Sequence, residues 1–449
     1  MPFPKLSSLN NKHILALTGN FVIAGFSILT IALLAHNMGK PEMGIYFFFF
    51  LTYNLADAIR NGLLTTATVK FYAGAPAERA TAVLGSVWYL ALGLTLAMVL
   101  LNLLAIPFLP FTKNEEVIIV IQWFGATVLS SLPFNVTFWI LVADEDYLTI
   151  LWLRLVNSGS TIGVFGILAL LHKATVFNIL CANFATNTLT SVICMAFGYS
   201  KFITLFKRTK AVTRELFTFG KFSLSSTVSS YFLSAANGFI VNGMLGAPAL
   251  AIFTIPNRLM EIIEIPLRSF VGTGMSAMAT AYNNNNMYHL TFVSKKYAGM
   301  LTLVFVPVAI VTFFGADIAV WLLGGKQYTG GEASNILRVM MFIAILYPID
   351  RFNGVTLDII NQPKINTYKV ILMGIVNIVV AVVAIYFLKH VYGVVIATFC
   401  TTIAGIIFGY HHLRKHLNYT LSDILSLGLV ELKNFYFEKV LKRPPVNPQ

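Results

Sequence analysis

The sequence predicts an all-α polytopic membrane protein with about twelve transmembrane helices, arranged in two similar halves. Hydrophobic residues make up 57% of the 449 positions and charged residues only 11%, which excludes a soluble globular protein. Apolar stretches long enough to cross a bilayer, about 20 residues each, follow one another from Ile14 to Tyr410. An internal repeat is the third observation, and it indicates the two halves.

The repeat is a short hairpin that joins two long apolar segments in each half. The segment 38–46 (MGKPEMGIY) recurs as the segment 245–253 (LGAPALAIF). At the same offset Asp57 falls on Glu264, and Arg60 falls one position short of Arg268. Repeats of this kind are typical of transporters, whose substrate site lies where the repeats meet.

The apolar stretches define the individual elements in chain order. Each is long enough for one helical crossing of the hydrocarbon core. The predicted spans are 14–35, 43–65, 81–106, 117–143, 147–171, 175–199, 218–245, 249–275, 298–323, 335–359, 367–388 and 391–410. Each half holds an even number of spans, so the halves enter the membrane in the same orientation and form a parallel repeat.

Composition shifts along the chain predict its domain boundaries. A basic segment, 200–217, separates an N-terminal lobe (1–199) from a C-terminal lobe (218–410). The tail, 411–449, mixes apolar with basic residues and is interpreted as an amphipathic cytoplasmic segment. A helix on the inner membrane surface and a solvated, partly ordered tail are both compatible with this composition.

The net charge of +13 reflects topology and does not indicate a nucleic-acid partner. With the N-terminus inside, cytoplasmic segments collect about 21 of the 31 lysines and arginines, and the opposite loops hold about five. Both termini are therefore predicted to be cytoplasmic. No phosphate-cradling glycine loop, nucleophile elbow or metal-ligand spacing occurs, so the sequence predicts no cofactor, no metal site and no enzyme activity.

Ionisable residues inside the predicted spans are the candidate site. Each costs roughly 2.5–3.5 kcal/mol at a helix centre, so such residues usually face a cavity or a partner. Spacings of three or four residues allow them to pair on one helix face, and two interpretations stay open: mutual pairing, or contact with cargo. The substrate-binding candidates are Arg60, Arg258, Arg268, Arg351, Asn54 and Tyr53. The ion-coupling or charge-pair candidates are Asp57, Glu261, Glu264, Asp350 and Asp358.

Two stretches resemble a known family. The run 33–39 (LLAHNMG), followed by 42–46 (EMGIY), is similar to the first hairpin of polysaccharide flippases related to bacterial O-antigen flippases. These belong to the multidrug/oligosaccharidyl-lipid/polysaccharide (MOP) exporter superfamily. The stretch 258–261 (RLME), with Pro266 after it, resembles the corresponding span of lipid II flippases. One departure is His36, where the family usually has an arginine.

The resemblance implies a fold and a transport activity. It implies two six-helix bundles, a parallel pseudo-twofold pair, around a central cavity that opens alternately to either side of the bacterial cytoplasmic (inner) membrane. The implied cargo is an undecaprenyl-pyrophosphate-linked oligosaccharide for O-antigen, capsule or exopolysaccharide, with membrane lipids and other polysaccharide-assembly proteins as partners. Arg60 and Arg258 match positions of functional arginines in lipid II flippases, but the first span lacks that family's arginine.

Two other functions are compatible with the sequence. A cation-coupled multidrug exporter of the same superfamily would suit the acidic residues Asp57, Glu261, Glu264 and Asp350. A membrane-embedded polysaccharide polymerase or glycosyltransferase is the alternative from another class. Such enzymes usually need a substantial periplasmic domain, whereas the predicted outer loops here are very short.

Overall fold

A computed structural model describes residues 12–418 and 420–435 of the chain. The regular elements within these residues are all helices, which confirms the all-α class. The chain divides into two compact units, Met1–Phe239 and Ile240–Gln449. Most of the helix that follows the basic segment 200–217 belongs to the first unit, and the lobe boundary at that segment stays a prediction.

The helices of the first unit follow the predicted spans. They are α1 (Lys12–Asn37), α2 (Lys40–Tyr72), α3 (Ala77–Ala105), α4 (Glu115–Ser130), α5 (Leu132–Ala143), α6 (Tyr147–Leu170), α7 (Val176–Ala196) and α8 (Lys210–Leu245), which runs past the unit's end. A 3₁₀ helix, Ile106–Phe111, extends α3, and another, Phe202–Lys207, joins α7 to α8.

The helices of the second unit also follow the predicted spans. Its helices are α9 (Ala247–Asn283), α10 (Met287–Gly324), α11 (Glu332–Ala344), α12 (Tyr347–Ile359), α13 (Pro363–Leu388), α14 (Tyr392–Leu413) and α15 (Leu421–Phe435). A short 3₁₀ turn, Lys326–Tyr328, precedes α11.

Two predicted spans are bent rather than straight. The axes of α4 and α5 meet at 43°, and those of α11 and α12 meet at 44°. A proline stands at the start of each second helix, Pro133 in α5 and Pro348 in α12. Proline has no N–H to donate and its ring displaces the carbonyl four residues earlier, so the helix bends at that point.

Eight of the twelve predicted spans correspond, in the part of the chain that the structure describes, to helices, or bent pairs of helices, that are long and apolar enough to cross a membrane. Within the described residues six helices are long and apolar enough to cross a membrane, and the two bent pairs raise the number to eight. The remaining predicted spans coincide with α1, α2, α8 and α9. Charged side chains interrupt α2 and α9, which places the candidate site on helices that are less suited to face lipid.

A tryptophan core ties the 3₁₀ helix Phe202–Lys207 to α3 in the first unit. Trp88 is buried, and its indole Nε1 donates to the carbonyl of Ser200 at 2.7 Å. Its ring packs edge-on against Phe202. A Cβ atom on Gly85 would lie only 2.3 Å from the carbonyl oxygen of Thr204, so a glycine is required for this close approach. The 3₁₀ helix is therefore fixed on the surface of α3.

Within the predicted tail, the helix α15 packs on the first turns of α10. Lys295 of α10 pairs with Asp423 at 2.9 Å, and Lys296 pairs with Glu431. Hydrogen bonds from Thr420 and Lys295 lower the pKa of the exposed Asp423 carboxyl. Residues 436–449 of the predicted tail lie outside the described residues.

A glycine of α10 sets the distance between α10 and α15. A Cβ on Gly299 would lie 1.9 Å from the carbonyl oxygen of Ile424, and a Cβ on Gly428 would lie 2.5 Å from the carbonyl carbon of Gly299. We expect Gly299→Val to displace α15 at a cost of about 1–3 kcal/mol, because the new side chain overpacks the contact. Limited proteolysis should then cleave α15 faster.

The matched control for this substitution is Gly315→Val in the same helix. A Cβ at Gly315 meets no atom within 4 Å, so this variant adds the same side chain without a clash. Equal cleavage rates for the two variants would contradict the packing of α15 on α10.

Candidate functional site

Arg60 lies at the centre of a polar cluster in the first unit. Its side chain is 0% exposed. One terminal nitrogen, Nη1, donates to the carbonyl oxygen of Val128 at 2.8 Å, and Nη2 donates to the hydroxyl of Ser131 at 3.0 Å. Nη2 also forms an ion pair with Asp57, one turn earlier on α2. The guanidinium therefore bridges α2 to the junction of α4 and α5.

Polar side chains of α2 and α5 extend this cluster around Arg60 and Asp57. Asn135 Nδ2 donates to the Asp57 carboxylate at 2.9 Å, and Trp139 Nε1 donates to Asn61 Oδ1 at 2.6 Å. The Tyr53 hydroxyl interacts with Ser131 and with Arg60. Asp57 and Tyr53 are partly buried and Asn54 is exposed, so the structure brings Tyr53, Asp57 and Arg60 together and leaves Asn54 outside them.

The position of this cluster follows from the bend between α4 and α5. Val128 and Ser131 lie where α4 ends, and a helix end leaves carbonyl groups without intrahelical partners. Arg60 supplies a donor to one of them. Within the described residues its Nε is buried without a hydrogen-bond partner. A substrate contact by Arg60 stays a prediction, and in the described conformation the guanidinium is held inside the protein.

The second candidate region is one face of α9. Arg258 pairs with Glu261 at 2.9 Å, and Arg268 pairs with Glu264 at 3.2 Å. The Arg258 side chain is 35% exposed and that of Arg268 is 70% exposed. Spacings of three and four residues place the two partners of each pair on the same side of the helix. The spacing in the sequence allowed both pairs, and both are present.

The residues predicted on α12 divide between two environments. Arg351 is exposed, and together with Glu264 and Asp350 it lies near the hydroxyl of Tyr347. Asp350 is buried and pairs with Lys369 at 2.6 Å. Asp358 is exposed and accepts a hydrogen bond from Asn366 at 2.8 Å. The structure therefore places Glu264, Asp350 and Arg351 around Tyr347, with Asp350 paired to Lys369, whereas Asp358 has a separate partner in Asn366.

Sequence reasoning missed four charged residues inside predicted spans, of which Lys221 is exposed and the other three have partners in the structure. Lys369 is the buried partner of Asp350, and Asp317 is the partner of Arg338 at 2.5 Å. Arg154 lies over the ring of Phe138 at 4.7 Å. A charged residue inside an apolar stretch was the available signal in each case. Among the described residues, no group of three or more His, Cys, Asp and Glu side chains could hold a metal ion.

Sequence comparisons identify two related families. The family described as polysaccharide biosynthesis protein matches residues 9–273, which is more than half of the chain. The family described as MatE matches residues 223–383. No curated protein sequence matches the chain at a significant level.

Solved structures share the fold at low sequence identity. An inward-facing multidrug resistance MATE family transporter of the MOP superfamily has a TM-score of 0.71 at 18% identity, covering 87% of this chain and 95% of its own. The lipid II flippase MurJ, in an inward closed conformation, has a TM-score of 0.68 at 14% identity, covering 97% and 94%. A MATE transporter of Vibrio cholerae has a TM-score of 0.56 at 14% identity, covering 90% and 96%. The chain belongs to the polysaccharide biosynthesis protein family, and it shares its fold with transporters of the MOP superfamily.

Proposed function

We propose that the protein is a flippase for an undecaprenyl-pyrophosphate-linked oligosaccharide. It would move this lipid from the cytoplasmic to the periplasmic leaflet of the bacterial inner membrane by alternating access, with both termini in the cytoplasm. The observation that supports this proposal best is the charged face of α9, where the guanidinium groups of Arg258 and Arg268 remain exposed although each has a carboxylate partner. The match to polysaccharide biosynthesis proteins supports the same cargo class.

Exposed arginines on a membrane helix require a water-filled cavity around them, because hydrocarbon does not solvate a guanidinium group. Arg258 lies about 17 Å from the start of α9 and Arg268 about 32 Å, at 1.5 Å per residue, so the face extends from the midplane towards the cytoplasmic side. A head group that enters from the cytoplasm would meet Arg268 first and Arg258 later.

Arginine suits the diphosphate of such a lipid. Its planar fork can donate two parallel hydrogen bonds to one phosphate group, whereas lysine acts as a point charge. The partners Glu261 and Glu264 hold the guanidinium groups while the site is empty. Exposed ion pairs contribute only about 0–1 kcal/mol, so a diphosphate can replace the carboxylates at small cost.

Arg351 adds a positive charge beside this face. It is exposed, and within the described residues it forms no ion pair. Since the two α9 pairs are neutral overall, Arg351 makes the local charge positive, which favours an anionic head group. Tyr53 and Asn54 on α2 are proposed to offer hydroxyl and amide contacts to the sugars, and Asn54 is already exposed.

A cation-coupled multidrug exporter is the second candidate function. The MatE match over residues 223–383 includes Glu261, Glu264 and Asp350. Glu261 is 50% exposed, so a carboxylate is as accessible on α9 as the arginine beside it. In this case the acids would bind a cationic substrate or the coupling ion, and the arginines would hold the acids in place.

Transport in reconstituted vesicles separates the two candidates. Arg258→Ala is expected to reduce flipping of a fluorescent undecaprenyl-pyrophosphate oligosaccharide at least about tenfold, because a charge-assisted hydrogen bond contributes about 1.5–3 kcal/mol. Arg258→Lys should recover part of this loss, since lysine keeps the positive charge but lacks the planar guanidinium group that donates two hydrogen bonds.

Arg214→Ala is the matched control, because Arg214 is an exposed arginine near the start of α8, in the first unit. It should flip the lipid at the wild-type rate. Unchanged flipping in Arg258→Ala would remove Arg258 from the mechanism. Proton- or sodium-driven transport of a cationic dye, abolished by Glu261→Gln, would favour the exporter instead.

A further inference from the structure

A groove of about 790 Å³ lies on the first unit, and the transport mechanism does not use it. It is bounded by α3, the start of α8 and the 3₁₀ helix Phe202–Lys207. Its walls are apolar, with Leu92 and Leu96 on α3, Phe206 on the 3₁₀ helix and Phe217 on α8. Leu96, Phe206 and Phe217 are exposed, so the groove is open along its length.

One end of the groove carries a positive charge. The guanidinium of Arg208 lies over the ring of Tyr89, 3.8 Å from its centroid, and both residues line the groove. Lys207 and Lys210 flank Arg208 and are exposed. In the described part of the chain no carboxylate pairs with Arg208; the nearby Glu215 pairs with Arg79 at 3.1 Å. Arg208 is therefore held in position by an aromatic ring and its charge is available.

The position of Arg208 is fixed by the backbone contacts of the 3₁₀ helix. Thr204 and Arg208 both pack against Gly85 of α3, and Trp88 anchors Ser200 just before the helix. From Tyr89 the apolar wall continues along α3 to Ala97, about 12 Å at 1.5 Å per residue. A fixed cation thus lies at the head of an apolar channel along a membrane helix.

The groove matches a phospholipid of the cytoplasmic leaflet, because its charged end suits the head group and its apolar end suits an acyl chain. The predicted topology places the segment 200–217 at the cytoplasmic surface, and α3 runs from that surface into the hydrocarbon core. Anionic lipids are concentrated in that leaflet, and basic pockets between membrane helices on the cytoplasmic side bind their head groups. An acyl chain would cover leucine and phenylalanine side chains that otherwise line an open groove.

We propose that this groove binds an anionic glycerophospholipid of the cytoplasmic leaflet, with its phosphate on Arg208 and an acyl chain along α3 between Gly93 and Ala97. The site is separate from the charged face of α9 and does not rest on the proposed cargo. Bound lipid would hold the linker between α7 and α8 against α3.

Native mass spectrometry of the full-length protein in detergent tests the polar end of the site. Phosphatidylglycerol is expected to bind more tightly than phosphatidylcholine. Arg208→Ala should weaken phosphatidylglycerol binding about fivefold, the effect of one basic residue near an anionic lipid surface. Arg214→Ala removes the same charge six residues away, outside the groove lining, and should bind as wild type does. Equal losses in both variants would overturn the proposal, because they would indicate diffuse charge attraction.

A second pair of variants tests the apolar channel. A Cβ on Gly93 would meet no atom within 4 Å, so we expect the side chain of Gly93→Leu to extend into the groove. It should reduce phosphatidylglycerol binding at least about fivefold, because the acyl chain would bury fewer methylene groups in the groove. Gly159→Leu on α6, equally unobstructed, is the matched control.

Two results would overturn this part of the proposal. One is unchanged binding in Gly93→Leu. The other is Arg208-dependent binding of undecaprenyl phosphate with no binding of phosphatidylglycerol, because the groove would then serve the cargo lipid. Both glycine variants should elute as monodisperse protein, which shows that any loss reflects the groove.

Discussion

Replacing Arg60 with alanine is expected to lower the free energy of unfolding by about 3–5 kcal/mol. The guanidinium is fully buried and contacts Asp57, Val128 and Ser131. Its removal leaves the partly buried Asp57 carboxylate without its cationic partner, and breaking a largely buried ion pair from one side is strongly destabilising. Thermal unfolding of the detergent-solubilised protein should show this as a lower midpoint temperature and a lower yield of folded protein.

The control for this substitution is Arg258→Ala. Its side chain is 35% exposed and pairs with an exposed glutamate, so the expected loss is only about 0–1 kcal/mol. An unfolding midpoint for Arg60→Ala equal to that of Arg258→Ala would contradict a structural role for the buried pair.

A double variant separates stability from transport at the same position. Asp57→Asn with Arg60→Met removes both charges and is expected to recover most of the lost stability, since apolar replacement of a buried ion pair is often near neutral. If this variant folds and flips lipid normally, Arg60 acts through structure alone. If it folds and flipping is lost, Arg60 or Asp57 takes part in transport.

The sequence predicted the positions of the helices along the chain well. Each predicted span coincides with one helix or with one bent pair, because the length of an apolar stretch and its flanking turn residues are local properties. The pairs Arg258–Glu261 and Glu264–Arg268 were also predictable, since residues three or four apart on a helix lie side by side.

Partners that are distant in the chain were not predictable in this way. The contacts of Arg60 with Val128 and Ser131 depend on how α2 packs against the junction of α4 and α5, which no spacing in the sequence encodes. The docking of α15 on α10 depends likewise on the glycine pair Gly299 and Gly428, whose spacing in the sequence carries no signal of contact. Exposure of a charged side chain is a property of the packed structure.

The burial of Lys369 is the clearest example of what packing adds. Lys369 is only 3% exposed, and its Nζ lies 2.6 Å from the Asp350 carboxylate and 2.8 Å from the Asp350 carbonyl oxygen. Space for the pair exists because Gly354 and Gly405 stand beside it; a Cβ on Gly405 would lie 2.5 Å from the carboxylate. The pair therefore joins α12 to α13 inside the second unit.

Lys369→Ala is expected to destabilise the protein by about 3–5 kcal/mol, because it leaves Asp350 buried without a cation. The measurement is the unfolding midpoint of the purified protein, with Lys364→Ala as control, since Lys364 lies on the same helix and is exposed. Adding Asp350→Asn to Lys369→Met should restore most of the stability. A Lys369→Ala variant as stable as Lys364→Ala would contradict a structural role for this buried pair.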